Sequence, residues 1–360
     1  MTPPKRLVVV GASAGGIEAL RTLLGGLPST FPAAICIVLH TSPDSPGILG
    51  EILGRSTALP VEQARDRQRL QSGHVYIAPA GFHLLVEPGL LRVTKGPREH
   101  GFRPAIDPLF RSAAQVYGPA AIGVVLTGNL DDGAAGLWVI NRLGGTTVVQ
   151  DPEDAMFPSM PTHAQQHVQV DYSVPLVRIP SLLTDLTSGA AHEVTVAAVP
   201  EHIDVEVRIA KEHNPREAGL ERLGLPSPYA CPDCHGVLLA LSQEGRVRFR
   251  CHIGHGYSIN SLLAAIAARI DDELASAVRS LEEGGLLIER VATQLKEQQD
   301  HEGSTRMAAA AQRVRLQAAA IRELSRERPA ASTLLQMDSN STARDGHTVA
   351  ASDRGGEEGS

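Results

Sequence analysis

Three apolar runs organise the first half of the chain, and each ends in a residue with chemistry of its own. Arg6-Leu7-Val8-Val9-Val10 breaks into glycines around Ser13, and the following Ile17 to Leu24 stretch has helical spacing. That order predicts a strand, a tight turn and a helix. Ala33 to Leu39 is a second run of strand length and ends at His40; Ala121 to Gly128 is a third and leads into Asn129-Leu130-Asp131-Asp132-Gly133 before a helix-like Ala134 to Ile140. Runs this continuously apolar fit strands buried on both faces of a parallel sheet.

The pattern between them predicts shorter pieces. Gly73 to Pro79 reads as a strand, and His83 to Glu87 with Leu91 to Thr94 reads as a hairpin around Pro88-Gly89. Asp107 to Val116 has helical spacing, Gly145 to Gln150 reads as a strand and Pro161 to Val168 as a helix. The loop Asp151 to Met160 is expected either to cover the carboxyl edge of the sheet or simply to connect its neighbours. The fold class is therefore α/β: a doubly wound, mostly parallel sheet with a β-hairpin insertion.

From about residue 186 the texture changes. Residues 1–188 are expected to form the α/β domain and 189–225 a linker, with Pro226-Ser227-Pro228 as the boundary. A small module over 226–260, a helical region over 261–328 and a disordered tail over 329–360 follow, the tail because it carries almost no bulky apolar residues. In the helical region, Leu263, Ile266, Ile270, Leu274, Ala277 and Leu281 recur at three- and four-residue steps; the pattern is interrupted at Gly284-Gly285 and resumes through Leu287, Val291 and Leu295. Met307 to Arg326 is a second helical stretch. The two form either an intramolecular hairpin or a coiled-coil surface for a signalling partner, and the sequence leaves both open.

Composition narrows the function classes. The 360 residues are 42% hydrophobic, enough to fill an ordinary core, but only 3% aromatic, so packing rests on aliphatic side chains. A net charge of -7 argues against a general nucleic-acid binder. No apolar run approaches the roughly 18 residues of a membrane span, and the stretch after Lys5-Arg6 is too brief for a signal peptide. A cytoplasmic protein without membrane insertion is expected.

The ends of the three runs suggest nucleophilic catalysis. Ser13 lies in Gly11-Ala12-Ser13-Ala14-Gly15-Gly16 on a strand-to-helix turn, which exposes Oγ near backbone N–H groups that favour an oxyanion. By itself this glycine-rich turn is as readily a phosphate site. A dinucleotide fold, however, wants an acid at the end of its second strand for the ribose, and here stands His40, suited to act as a general base. A carboxylate from Asp131 or Asp132 would orient the imidazole.

These segments, with Gly73-His74-Val75-Tyr76-Ile77-Ala78-Pro79 and Asp107 to Ala114, together resemble the catalytic domain of the CheB family of chemotaxis protein-glutamate methylesterases over roughly residues 5 to 185. The resemblance implies Ser13 as nucleophile, His40 as base and Asp132, by its place before Gly133, as orienting acid. Ala14, Gly15 and Asn129 would lie beside the oxyanion. It implies a methylated receptor-like protein as substrate, no catalytic cofactor, and a related glutamine deamidation. The chain departs from the family at Ala14, where threonine is usual, and at Gly128-Asn129-Leu130, where Gly-Met-Gly is usual. Its first strand also begins at about residue 6, so phosphorylation of a receiver domain in cis is not expected to regulate it. The alternative is a signalling adaptor that keeps the hydrolase fold for binding.

Cys231-Pro232-Asp233-Cys234 and Cys251-His252-Ile253-Gly254-His255 flank a strand–turn–strand pattern with its turn at Glu244-Gly245. Two such pairs at the ends of a hairpin suit a structural, tetrahedral Zn²⁺ held by Cys231, Cys234, Cys251 and His255, in a zinc-ribbon-like module. His252 and His235 are the competing fourth ligands. Because no candidate catalytic residue lies in this module, the metal is expected to matter for folding and not for the chemistry. His74, His83, His100, His163 and His167 are assigned no role.

Overall fold

The computed structural model describes residues 4–328 except 44, 46, 190–197, 213, 244 and 245. The expected disordered tail and the turn at Glu244-Gly245 lie outside the described residues.

Seven strands form one parallel sheet: β1 (Leu7–Ala12), β2 (Ala34–Leu39), β3 (Val61–Gln63), β4 (Val75–Ile77), β7 (Ala121–Val125), β8 (Thr146–Gln150) and β9 (Tyr172–Val174), in the order β3-β4-β2-β1-β7-β8-β9. The inserted hairpin is β5 (His83–Glu87) and β6 (Leu90–Thr94), paired antiparallel. Alternation along the strands divides the interior into two cores. Leu7 and Val9 of β1 and Cys36 and Val38 of β2 face one; Val8, Val10, Ile35 and Ile37 face the other. The first core is closed by α3 (Ile106–Tyr117), α4 (Ala134–Arg142) and α5 (Ser159–His167), the second by α1 (Gly16–Gly25), α2 (Leu49–Gly54) and α6 (Ile179–Ser188). Both faces are thus covered, and this explains why the strands read as unbroken apolar runs. Burial pushes the Cys36 thiol pKa up, in keeping with a packing role.

Strand order reverses at β1: the chain winds out through β2 in one direction and from β7 in the other. At such a switch point the loops leaving adjacent strands diverge and leave a crevice at the carboxyl edge. The loops after β1, β2 and β7 carry Ser13, His40 and Asp132.

The described part of the segment expected to be a linker, 198–212 and 214–225, is largely helical. It carries α7 (Glu201–Ala210) and α8 (Pro215–Ala218), and α7 acts as a wedge. Ile203 enters the sheet core, Val207 and Ala210 pack on Leu85, and Val205 and Ile209 pack with Leu220 and Leu241. Beyond it, β10 (Gly224–Ala230), β11 (Val237–Gln243), β12 (Arg246–Cys251) and β13 (Gly256–Ser258) form a four-stranded antiparallel sheet instead of a lone hairpin. The compact unit that begins with the parallel sheet runs through Leu262, so it includes this small sheet.

A second unit begins at Leu263. It holds most of α9 (Ile259–Glu297) and all of α10 (His301–Glu327). The expected break at Gly284-Gly285 does not occur. A Cβ on Gly285 would lie 3.8 Å from Val314 Cγ1 and Arg315 Cγ, so the small residue lies where α10 approaches α9 closely. The two helices pair with each other, with Glu289–Arg315, Glu282–Arg322 and Asp271–Arg328 ion pairs between them.

Candidate active site

The three loops bring their side chains into one hydrogen-bonded line. Ser13 Oγ lies 3.1 Å from His40 Nδ1, and His40 Nε2 lies 2.8 Å from Asp132 Oδ2. A carboxylate only accepts, so Nε2 carries the proton towards Asp132 and Nδ1 is left to accept from the serine. The His40 and Asp132 side chains are buried, while Ser13 is partly open.

Asp132 is held from a second direction. Its Oδ2 accepts from Ile106 N–H at 2.7 Å and its Oδ1 from Asp107 N–H at 3.0 Å, at the N-terminus of α3, where unpaired N–H groups favour a negative charge. The close approach of α3 depends on two glycines. A Cβ on Gly11 would come within 2.4 Å of Ile106 Cγ2, and Gly133, at φ 96°, would meet the same atom at 2.9 Å. Asp131 faces away, with Oδ1 accepting from Ser258 Oγ at 2.8 Å. Geometry thus separates the two acids that the sequence left in competition.

The turn around Ser13 is laced to β7 and to the loop over 151–160. Ser13 N–H donates to Thr127 O, Thr127 Oγ1 donates to Ala14 O, Phe157 N–H donates to Thr127 Oγ1, and Gly128 N–H donates to Phe157 O. That loop therefore covers the carboxyl edge, with Met156 at its exposed tip. Ala14, Gly15 and Asn129 all lie on these turns. Among the described residues no acceptor meets the Ala14 or Asn129 N–H, which leaves both able to bind an oxyanion.

Two neighbours escaped the sequence reading. Phe102 stacks on the His40 ring, with centroids 3.8 Å apart and planes 6° from parallel, fixing the imidazole's tilt. His100 lies in a buried ionic cluster behind Asp132. Its Nε2 donates to Asp107 Oδ2 at 3.1 Å and its Nδ1 to Ser261 Oγ at 2.9 Å. Burial alone would lower its pKa, but the carboxylates of Asp132, Asp107 and Asp131 win and push it up to about 9. Neither residue carries a motif, and the turn that aims them, with His100 at φ 55° and Gly101 at φ 80°, has no apolar period.

The rest of the cluster joins the small antiparallel sheet to α3. Glu99 is paired with Arg111 at 2.6 Å, Arg250 at 3.0 Å and Arg248 at 3.3 Å; Glu206 of α7 is paired with Arg248 at 2.6 Å and Arg111 at 2.9 Å. Burial pushes both carboxyls up, but the guanidinium groups outweigh it, holding Glu99 well below the usual range and Glu206 at about 2. A charge with a shifted pKa makes stability depend on pH. His100, raised to about 9, stabilises the fold fully below about pH 6.5 and loses that contribution as pH rises through 9; Glu206, lowered to about 2, stabilises it above about pH 4.5 and loses that as pH falls towards 2. Thermal unfolding followed by circular dichroism is expected to peak between about pH 4.5 and 6.5. His100→Gln should flatten the alkaline decline, and a decline of unchanged size would assign it to other groups.

Cys231, Cys234, Cys251 and His255 bring their ligand atoms within 4.8 Å of one another. The Cys234–Cys251 sulfurs lie 3.6 Å apart, and His255 Nδ1 lies 3.6 Å from both Cys231 Sγ and Cys251 Sγ. Ligands about 2.0–2.3 Å from a common centre in a tetrahedron are separated by about 3.3–3.8 Å, so the donor set fits a metal ion. Of the three candidate histidines it is His255 that lies in the cluster.

The first half of the chain is similar to known proteins. The CheB methylesterase family pattern matches residues 8–183. A putative protein-glutamate methylesterase/protein-glutamine glutaminase of Leptospira interrogans is 41% identical over 180 residues, which are 50% of this chain and 93% of that protein. The chain belongs to the CheB methylesterase family. The protein-glutamate methylesterase FrzG of Myxococcus xanthus is also 41% identical, over 182 residues, 50% of this chain and 54% of FrzG. The crystal structure of the Thermotoga maritima CheB methylesterase catalytic domain is 34% identical and covers 50% of this chain and 98% of that one, with a TM-score of 0.49. The CheB match spans the parallel sheet and its helices, and α7, the small sheet and α9–α10 lie beyond it.

Proposed function

We propose that this protein is a serine esterase that removes methyl groups from glutamate methyl esters of a receptor-like chemotaxis protein. The observation that carries the reading is the Ser13–His40–Asp132 line at the sheet's switch point. As His40 Nδ1 takes the serine proton, Ser13 Oγ attacks the ester carbonyl. The oxyanion that forms is met by the N–H groups of Ala14 and Asn129. Collapse of the intermediate breaks the C–O bond, and methanol leaves with the proton returned by His40. Water, activated by the same imidazole, then attacks the glutamyl–serine ester and regenerates Ser13. The same acyl intermediate accommodates glutamine, with ammonia as leaving group, in line with the glutaminase activity named for the Leptospira relative.

The test is methanol release from a methylated receptor. The wild-type chain is expected to release methanol in proportion to demethylation, whereas Ser13→Ala should release it at least about a thousandfold more slowly. Equal release by the two proteins would exclude the serine mechanism. A signalling adaptor without activity would release none, but the complete hydrogen-bonded line and the family membership favour the enzyme.

Zinc is the metal that three thiolates and one imidazole favour. With all four positions filled by the protein, it would leave no place for water and serve structure, holding the turn between β12 and β13. Elemental analysis is expected to find about one zinc per chain, lost in Cys234→Ser. No helix among the described residues is long and apolar enough to cross a membrane. Cysteines kept out of disulfides and gathered as metal ligands suit a reducing compartment, and the cytoplasm is the location that we propose.

A further inference from the structure

The loop over 128–132, which bears the acid and a candidate oxyanion N–H, is braced by residues far along the chain. Ser258 closes β13 and Asn260 and Ser261 open α9. Ser258 Oγ donates to Asp131 Oδ1 at 2.8 Å. Asn260 Nδ2 donates to His163 Nε2 at 3.2 Å, and His163 Nδ1 in turn shares its proton between Ser159 O at 2.8 Å and Leu130 O at 3.0 Å. The carbonyl acceptor fixes the tautomer of His163, so the relay runs in one direction. Leu130 sits at φ 64°, a conformation unfavourable to a leucine, which persists only where its surroundings impose it. The bonds of Ser159 Oγ and His163 Nδ1 to its carbonyl and the Asp131 bond to Ser258 are among those constraints.

Ser258 and Ser261 are themselves interlocked. Ser258 N–H donates to Ser261 Oγ at 2.8 Å, Ser261 N–H donates to Ser258 Oγ at 3.0 Å, and Ser261 Oγ also accepts from His100. The pair therefore touches the catalytic loop through Asp131 and the cluster behind Asp132 through His100. Ser258 follows the Cys251–His255 turn by three residues, and that turn is closed by Cys251 N–H donating to His255 O at 3.1 Å. His100 N–H donates to Gly256 O at 2.7 Å, which seats β13 against the catalytic domain.

We propose that Ser258 and Asn260 are positioning residues of the esterase site, setting the 128–132 loop through Asp131 and His163, so that the cysteine-rich module forms a working part of the site. This rests on the esterase reading above. It reverses the expectation that the module affects folding alone. Neither residue touches the reacting atoms; each acts on the loop that does. A loop displaced by a fraction of an ångström misplaces both the acid and the oxyanion donor, and such displacements lower turnover much more than substrate binding.

The test uses the full chain and a small glutamate methyl ester, which cannot contact a distant docking surface. Ser258→Ala and Asn260→Ala are each expected to lower kcat by about tenfold, and the double variant by up to about a hundredfold, with KM within about twofold of wild type. Ser258→Thr, which keeps the hydroxyl, should recover most of the loss. Amide hydrogen exchange provides a second reading that does not depend on catalysis: exchange over 128–136 should accelerate in Ser258→Ala and in protein stripped of metal by a chelator, while β1 keeps its protection. Wild-type kcat in the double variant, or unchanged exchange over 128–136, would overturn the proposal. Faster exchange over 128–136 in a chain whose wild type hydrolyses no ester would leave the brace standing and refute the esterase reading.

Discussion

Ser13→Ala and His40→Ala are each expected to lower ester hydrolysis by at least about a thousandfold, because nucleophile and base act as one unit. Asp132→Ala should fall in the same range or slightly above it. Its carboxylate accepts from His40 and from two N–H groups of α3, so removing it frees the imidazole and leaves both donors unpaired. Asp131→Ala should lose only about tenfold, since that side chain reaches the site through the loop it anchors. Steady-state kinetics on a small methyl ester separates these outcomes. If Asp131→Ala proves the more damaging of the two, Asp132 is not the orienting acid.

Glu99→Gln is expected to destabilise the first unit by about 3–5 kcal/mol. The substitution keeps the shape but removes the charge shared by Arg111, Arg248 and Arg250. All of these side chains are nearly or wholly buried, and water cannot replace the lost partner. Glu18→Gln serves as the control: its pair with Arg21 is exposed, and such pairs contribute less than about 1 kcal/mol. Urea unfolding monitored by circular dichroism measures both. A Glu99→Gln loss no larger than that of Glu18→Gln would mean that the cluster contributes nothing to stability.

The hydrolase half was largely readable because its signals are local. Each candidate residue ends a run whose every position is buried in a parallel sheet, and the run length and the residue that breaks it are both visible in sequence. The choice between Asp131 and Asp132 was not local: neighbouring side chains point apart, and what distinguishes them is α3 on one side and Ser258 on the other. The small sheet misleads for a related reason. In β12 the hydrophobic Val247 is 39% exposed while Arg248 and Arg250 are 8% and 1% exposed, the opposite of what an amphipathic strand predicts. Their partners Glu99, Asp107 and Glu206 belong to other elements, and no pattern within β12 announces them. α7 shows no clean helical period in sequence because its apolar residues face three surroundings instead of one.

The ionic cluster also has a history within each molecule's synthesis. Glu99 and Arg250 are separated by 151 positions, and chains grow at roughly 5–20 residues per second. The parallel sheet, complete at β9, therefore leaves the ribosome well before Arg248 and Arg250 exist. For about 8–30 s Glu99 must remain hydrated or pair with Arg111 alone, and the surface that will receive the small sheet stays open. A catalytic half that emerges early is thereby finished late, at a moment set by translation.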